Sequence, residues 1–321
     1  MRLLQKLLNL LNGLHYRQEY LCLAPGTFDE PLQVYLVNDT HIIKNVTSQH
    51  LFVGYCPLIF AFSDALLPEN IRLIFSHRLF HPNELFIQKD AIALLNLKKI
   101  KQQPAGVNNI FYYEGTQGNH QFQSGFRQWI NDLYNRWYNK KPGNVFLHSN
   151  LYKQVQIAYA IPRHIALITV SDGGNYNLFP TDLHGQAVND HYIISLRTGG
   201  KACEQVEAAG RLLISEMDCT TYKAVYALGK NHMQPLKTKG QFTFGDQTSA
   251  SFQWPVPDGA LSYKELTLLD TFTHGIHKIL LFKILYIHQP VTALNGTLAH
   301  IHNTYATWRY KKGMEGNYLL R

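Results

Sequence analysis

The chain has 321 residues, of which 45% are hydrophobic and 16% charged, so it is expected to bury a core and not to be disordered. Its net charge is +8 with histidine neutral, but the cations are spread along the chain without a nucleic-acid motif, so nucleic acid is not predicted as a partner. None of its four cysteines lies in a C-x-x-C pair, which argues against a zinc site or a dithiol redox centre and is typical of a cytoplasmic protein.

The first predicted element is an amphipathic helix at the N-terminus. Its leucines recur at helical spacing: Leu3, Leu4, Leu7, Leu8, Leu11 and Leu14. Gln5, Lys6 and Asn9 interrupt the apolar run and no small-residue cleavage site follows, so the segment is not predicted to be a signal peptide. No apolar stretch is long enough to cross a bilayer, and no membrane partner is predicted.

Strand-like runs follow at Leu32–Val37, His50–Phe62 and Ile71–Phe75, where Val, Ile, Phe and Tyr predominate. An aromatic content of 12% also favours β-rich structure. Residues 100–120 are polar and rich in Gly, Asn and Gln, which predicts a loop.

The clearest helical pattern lies near the middle of the chain. Its apolar residues fall at helical spacing: Phe126, Trp129, Ile130, Leu133 and Trp137. Such a stripe predicts a face buried in the core, and the alternative is a surface for a partner or a cofactor. Lys140-Lys141-Pro142-Gly143 is predicted to end the helix. We place a domain boundary there, between an N-terminal α+β region of unknown role (1–143) and a second domain (144–321).

The most informative segment runs from Arg163 to Ser215. Ile165–Val170 predicts a buried strand, and Ser171-Asp172-Gly173-Gly174 predicts a hairpin turn because these glycines tolerate positive φ. Tyr192–Leu196 predicts another strand, followed by a basic turn and a helix that Gly210 would end.

The basic turn, Arg197-Thr198-Gly199-Gly200-Lys201, has the composition of an anion site. Glycines let a backbone approach a ligand, helix-start N–H groups point outward, and Arg and Lys add positive charge. A phosphate group suits such a place. The alternative is an ordinary loop with solvated cations.

The order of these elements resembles the flavin reductase-like, FMN-binding split-barrel proteins, over residues 152–312. The matching pieces are Arg163–Thr169, Asp172–Gly174, Asn177, Thr181, Ser195–Arg197, Gly210–Ile214, His277–Ile284 and Leu298–Tyr305. This chain departs from the family pattern at several positions. Ala202 replaces a helix-opening Thr, Gln205 an Asn, Ala208-Ala209 a Glu-Thr pair, Phe282 a Gly and Lys283 a Glu.

The resemblance implies a mainly β protein with helices (α+β), with an antiparallel split β-barrel in the C-terminal half. It also implies FMN as cofactor, hydride transfer from NAD(P)H to flavin or another acceptor, and a homodimer with flavin near the interface. No side chain need act as a catalytic acid or base. The predicted cofactor-binding residues are Asn177, Leu178, Phe179, Pro180, Thr181, Asp182, Ser195, Arg197, Thr198, Lys201 and His277.

Two further hypotheses stay open. The departures at Ala202 and Gln205 allow a flavin-reductase-fold binding or structural module that has lost turnover. The second is a metal site, because His300 and His302 would share one face of a strand and His274, His277 and His288 are nearby in sequence.

Overall fold

A computed structural model of the protein describes residues 11, 13–15, 20–23, 31–38, 40–138, 145–289, 296–314 and 318–320. The strands in these ranges are β1 Tyr20–Leu23, β2 Gln33–Asn38, β3 His41–Asn45, β4 His50–Tyr55, β5 Leu58–Asp64, β6 Asn70–Ser76, β7 Ala93–Ala105, β8 Asn108–His120, β9 Arg163–His164, β10 Ala166–Asp172, β11 Asn175–Thr181, β12 His184–Gln186, β13 His191–Arg197, β14 Arg211–Met217, β15 Lys237–Thr238, β16 Phe244–Thr248, β17 Pro255–Pro257, β18 Ala260–His274, β19 His277–His288, β20 Ala299–His302 and β21 Tyr318–Leu320. The α-helices are α1 Gly125–Tyr138, α2 Ser149–Ala158, α3 Lys201–Ala209, α4 Tyr222–Ala227 and α5 Asn303–Lys311.

The N-terminal half forms a seven-stranded antiparallel sheet in the order β3-β2-β6-β7-β8-β5-β4. The strands predicted at 32–37, 50–62 and 71–75 are confirmed, the second as the hairpin β4–β5. The loop predicted at 100–120 is wrong, because this stretch belongs to the two 13-residue strands of the β7–β8 hairpin. Most of its polar residues lie at exposed or half-buried strand positions, while Ile110–Tyr113 are buried, so polar composition there marks a sheet surface that partly faces solvent.

The C-terminal half contains an eight-stranded sheet in the order β12-β13-β19-β18-β14-β10-β11-β15. The predicted strands at 165–170 and 192–196 are confirmed as β10 and β13. So is the glycine turn between β10 and β11, where Gly173 and Gly174 have φ of 55° and 84°. Among the described residues the edge strands β12 and β15 do not pair with each other, so this sheet is open and a closed barrel is not established.

One face of the eight-stranded sheet packs against helix α3. Side chains from β10, β11, β13, β14, β18 and β19 form an apolar cluster with Ala202, Cys203 and Val206 of the helix. The predicted end of the helix is confirmed at Gly210, which has the left-handed φ of 62° and donates its N–H to the carbonyl of Val206.

The opposite face of β13, β18 and β19 packs against the N-terminal sheet. The buried residues of this junction come from both halves of the chain: Val53, Ile59, Ala61, Ala105, Ile110, Tyr112, Ile193, Ile279 and Leu281. Burial of this apolar surface holds the two sheets together.

Residues from the end of the chain also pack into the N-terminal sheet. Ala299, Ile301, Tyr305 and Ala306 belong to the apolar cluster that α2 and the N-terminal sheet form. The predicted boundary at 143/144 and the Lys140–Gly143 helix end lie outside the described residues, as does most of the N-terminal helix. The two-domain division stays a prediction.

Helix α1 confirms the predicted helix but not its predicted orientation. Phe126, Trp129 and Leu133 are 69%, 59% and 45% exposed. The buried face is polar instead: Asn131 and Asn135 are 4% and 3% exposed, and the Asn135 side-chain amide donates to the carbonyl of Leu147 over 2.9 Å. No helix among the described residues is both long and apolar enough to span a bilayer.

Candidate functional site

The predicted cofactor residues occupy two places in the C-terminal sheet. Residues 177–181 lie on β11 with Asp182 just after it, so the loop predicted for 177–182 is wrong and this stretch is mostly strand. Ser195 lies on β13 and Arg197 ends it, Thr198 lies in the turn into α3, Lys201 begins α3, and His277 begins β19. Because β13 pairs with β19, Arg197 lies opposite His277 and Ser195 opposite Ile279.

His277 is buried at the junction between the two sheets. The backbone N–H of Tyr55 donates to its Nε2 over 3.1 Å, and its Nδ1 lies 3.2 Å from the hydroxyl oxygen of Ser195. Since Nε2 accepts a hydrogen bond, the ring proton is on Nδ1, which donates to Ser195. Burial, reinforced by the nearby Arg197 charge, lowers the pKa of His277 to about 4, so the ring is neutral at pH 7.

The basic turn leads directly into helix α3. Gly199 has the left-handed φ of 73°, and no atom lies within 4 Å of the place where its Cβ would stand. Gly200 is the N-cap residue; its carbonyl accepts the N–H of Cys203 over 3.0 Å, and no side chain caps the helix. The Arg197 side chain is exposed, and Lys201 forms an exposed ion pair with Glu204 at 2.8 Å.

The middle of β11 is covered by the segment that follows helix α4. Asn177, Leu178 and Phe179 are all buried. The Asn177 amide donates to the side-chain oxygen of Gln205 (2.7 Å) and to the carbonyl of Asn231 (3.0 Å). Asn231 in turn donates to the carbonyl of Leu178 over 2.9 Å. These side chains therefore shape the wall behind the basic turn and do not present an open surface.

The end of β11 is held by polar contacts within the protein. His232 Nε2 lies 2.8 Å from the carbonyl of Pro180, and the Thr181 hydroxyl accepts the N–H of Leu183 over 3.3 Å.

The Asp182 carboxylate lies 2.8 Å from both the Tyr159 hydroxyl, which donates to it, and His300 Nδ1. Burial would raise the pKa of Asp182, but the contacts with His300 and Tyr159 outweigh burial and lower it.

Two segments of this site were not predicted from the sequence. The turn at Tyr55 and Cys56 comes from the N-terminal sheet, and the segment around Asn231 and His232 lies far from β11 along the chain. Neither carries a motif, and both reach the site only through tertiary packing. At position 202, where the family pattern has a threonine, the Ala202 side chain is buried in the core cluster and points away from solvent.

The histidines of the metal hypothesis have other partners. His300 contacts Asp182, the His302 ring nitrogen accepts the N–H of Thr304 over 3.2 Å, and His274 lies 2.6 Å from Glu114. In the part of the chain that the structure describes, no three or more His, Cys, Asp or Glu side chains are grouped to hold a metal ion.

A groove of about 540 Å³ runs beside helix α3 and the β10–β11 turn. Its walls include Asp172, Tyr176, Gln205, Arg211 and Trp254, and it contains none of the predicted cofactor residues. The predicted residues that are exposed, Arg197 and Lys201, lie instead at the other end of the helix.

No family model matches this sequence, and no curated protein matches it. Solved structures do match. An FMN-binding protein from Thermus thermophilus with bound p-hydroxybenzaldehyde is 18% identical with a TM-score of 0.39, covering 51% of this chain and 88% of that one. An NADH:FAD oxidoreductase from Streptomyces globisporus is 12% identical with a TM-score of 0.41, covering 51% and 96%. The flavin reductase of a styrene monooxygenase from Pseudomonas putida S12 is 16% identical with a TM-score of 0.38, covering 51% and 97%. Each of these three matches covers about half of this chain.

Proposed function

We propose that this protein binds FMN and transfers hydride from NAD(P)H, through the bound flavin, to free flavin or to another acceptor. The observation that carries the proposal is the basic turn at the start of α3, where no side chain caps the helix. Arg197 and Lys201 supply charge there, Gly199 leaves open space, and the helix start supplies N–H groups. These features fit the phosphate of a flavin mononucleotide.

The remaining predicted residues have supporting roles in this proposal. Thr198 holds the turn in place, because its N–H and its hydroxyl both donate to the carbonyl of Ile276, at 2.8 and 3.1 Å. Ser195 and His277, 3.2 Å apart, link the two strands next to the turn. Residues 177–182 form the wall next to the turn. Bound flavin would supply the hydride chemistry, and the protein would supply binding and orientation.

The test is to add FMN to the purified full-length chain, desalt it and record visible absorption. We expect a retained flavin band, followed by oxidation of NADH or NADPH in a steady-state assay. The double variant Arg197→Gln/Lys201→Gln is expected to weaken FMN binding about a hundred-fold or more, since each of the two charge-assisted contacts contributes on the order of 1.5–3 kcal/mol. Lys98→Gln removes an exposed cation from the N-terminal sheet and is the control.

A second candidate is a flavin-reductase-fold module without turnover. The observation that favours it is the Asn177 amide, whose two N–H groups are used by Gln205 and Asn231 within the protein. A folded wild-type protein that retains no flavin would support this reading. A homodimer with flavin near its interface and a cytoplasmic location remain predictions, and light scattering on the purified protein tests the first.

A further inference from the structure

The turn between β4 and β5 lies against the proposed flavin site. The N–H of Ile276 donates to the carbonyl of Cys56 over 3.1 Å, and the N–H of Thr198 donates to the carbonyl of Ile276 over 2.8 Å. Three turns, around residues 56, 276 and 198, are therefore joined side by side by backbone hydrogen bonds. The first belongs to the N-terminal sheet, so the basic turn has a neighbour from the other half of the chain.

Tyr55 is the aromatic residue of that neighbouring turn. Its ring meets the His277 imidazole edge to face, with the ring centres 4.6 Å apart, and its side chain is half-buried. Its backbone N–H, not its hydroxyl, holds His277, so the phenol is not needed for that contact.

The Tyr55 phenol is influenced by charged side chains from both groups of predicted residues. Burial is the largest influence on the pKa of Tyr55 and raises it, while Arg197 lowers it and Asp182 raises it. Arg197 begins the basic turn and Asp182 follows β11. The geometry agrees with this: the Tyr55 ring lies against His277, and His277 is the partner of Arg197 in the pairing of β13 with β19.

We infer that Tyr55 forms one wall of the flavin site, and that the N-terminal half of this chain thereby supplies a cofactor contact. The inference rests on the proposed function. A tyrosine offers a flat apolar ring for stacking and a hydroxyl for one polar contact, both of which suit a flavin ring or its ribityl chain. The C-terminal sheet alone would hold an incomplete site.

The experiment compares full-length wild-type protein with Tyr55→Phe and Tyr55→Leu. FMN is titrated and two quantities are measured: the Kd, and the fluorescence of the bound flavin relative to free FMN. A tyrosine ring against a flavin quenches its fluorescence by electron transfer, so this readout reports contact and not turnover. Tyr286→Leu, which changes a 38% exposed tyrosine on β19, is the matched control.

We expect Tyr55→Leu to weaken FMN binding about ten-fold, because the variant loses the binding free energy of one aromatic contact. It should also raise the fluorescence of the bound flavin. Tyr55→Phe keeps the ring packing and should remain folded, with an affinity loss of about three-fold. Its bound flavin should be as fluorescent as in Tyr55→Leu, because a phenyl ring does not donate an electron to excited flavin. Tyr286→Leu should change neither quantity.

Unchanged Kd and fluorescence in both Tyr55 variants, with Arg197→Gln/Lys201→Gln still weakened, would overturn the role of Tyr55 and leave the proposed function standing. Wild-type protein that binds no FMN would overturn both.

Discussion

Arg163 and His50 join the two halves of the protein in a buried contact. Nη2 of Arg163 lies 3.1 Å from Nε2 of His50, and the guanidinium also donates twice to the carbonyl of Ala158, at 2.9 and 2.8 Å. His50 Nδ1 is 2.8 Å from the carbonyl of Val46, so this nitrogen carries the proton and Nε2 accepts. Burial and then the Arg163 charge lower the pKa of His50 to about 3.

Replacing Arg163 with Met should lower the free energy of unfolding by about 2–4 kcal/mol, because His50 and the Ala158 carbonyl lose their buried donor. Urea unfolding followed by circular dichroism measures this change. Arg136→Met, which removes an exposed arginine paired with Asp132, is the control and should cost no more than about 0.5 kcal/mol. If both variants lost the same free energy of unfolding, the buried contact would not stabilise the protein more than the exposed ion pair.

The stability of the protein should fall on acidification between the unfolded and folded pKa values of His277. Its folded pKa of about 4 lies below the unfolded value of 6.5. The unfolded chain therefore binds the extra proton first, and stability present above pH 6.5 is lost as the pH falls toward 4. For this one group the loss is about 3 kcal/mol over the window.

The variant His277→Gln tests this assignment. Gln keeps an acceptor for the Tyr55 N–H but does not titrate, so its unfolding free energy should depend less steeply on pH between 6.5 and 4 than that of the wild type. His41→Gln, at an exposed histidine, should keep the wild-type slope. Identical slopes for all three proteins would show that His277 does not titrate in this way.

Glu204 should weaken anion binding at the start of α3. Its carboxylate pairs with Lys201 at 2.8 Å and adds a negative charge to the first helical turn. Glu204→Gln frees the lysine and should tighten FMN binding about two- to five-fold at low salt, an effect that shrinks as ionic strength rises. Titration at two salt concentrations measures it, and a loss of affinity in Glu204→Gln would argue against a phosphate at this turn.

Gly275 should tolerate no side chain. Its φ is 60°, and an added Cβ would overlap Pro57 and the carbonyl of Cys56. Gly210 has a nearly equal φ of 62° with nothing within 4 Å of its Cβ position. Gly210→Ala therefore measures the backbone cost alone, about 1 kcal/mol, and Gly275→Ala should cost at least about 1–2 kcal/mol more. Equal costs, measured by chemical denaturation, would mean that the junction can open at this point without penalty.

Trp129 should contribute little to stability although it belongs to an apolar helical stripe. Its side chain is 59% exposed, whereas Leu95 in the N-terminal sheet is fully buried. We expect Trp129→Ser to change the unfolding free energy by less than about 0.5–1 kcal/mol and Leu95→Ala to lower it by about 2–5 kcal/mol. A large loss for Trp129→Ser would mean that this face is covered in solution.

Short sequence patterns correctly predicted the turns and helix ends whose backbone conformation depends on the residues at those positions. The β10–β11 turn follows from glycines that accept positive φ, and the end of α3 follows from Gly210. The orientation of α1 was not predictable in this way, because its buried Asn135 is satisfied by the carbonyl of Leu147, a partner from outside the helix.

In the candidate site, too, residues that are adjacent in the sequence were predicted and contacts between distant residues were not. The basic turn was visible in the sequence, since its residues are consecutive. Tyr55 was not, because it meets His277 across 222 positions of the chain. A periodic pattern contains no information about contacts of that separation.

The short strand β1 has a consequence for the order in which the protein can be completed. It pairs antiparallel with both β20 and β21, so the backbone of residues 20–23 lies between segments near residues 300 and 320. During synthesis these first residues must wait for nearly three hundred later ones before their hydrogen-bonding partners exist. This pairing can therefore form only after both halves of the chain have been translated, and a chain that ended before β20 would leave β1 an unpaired edge.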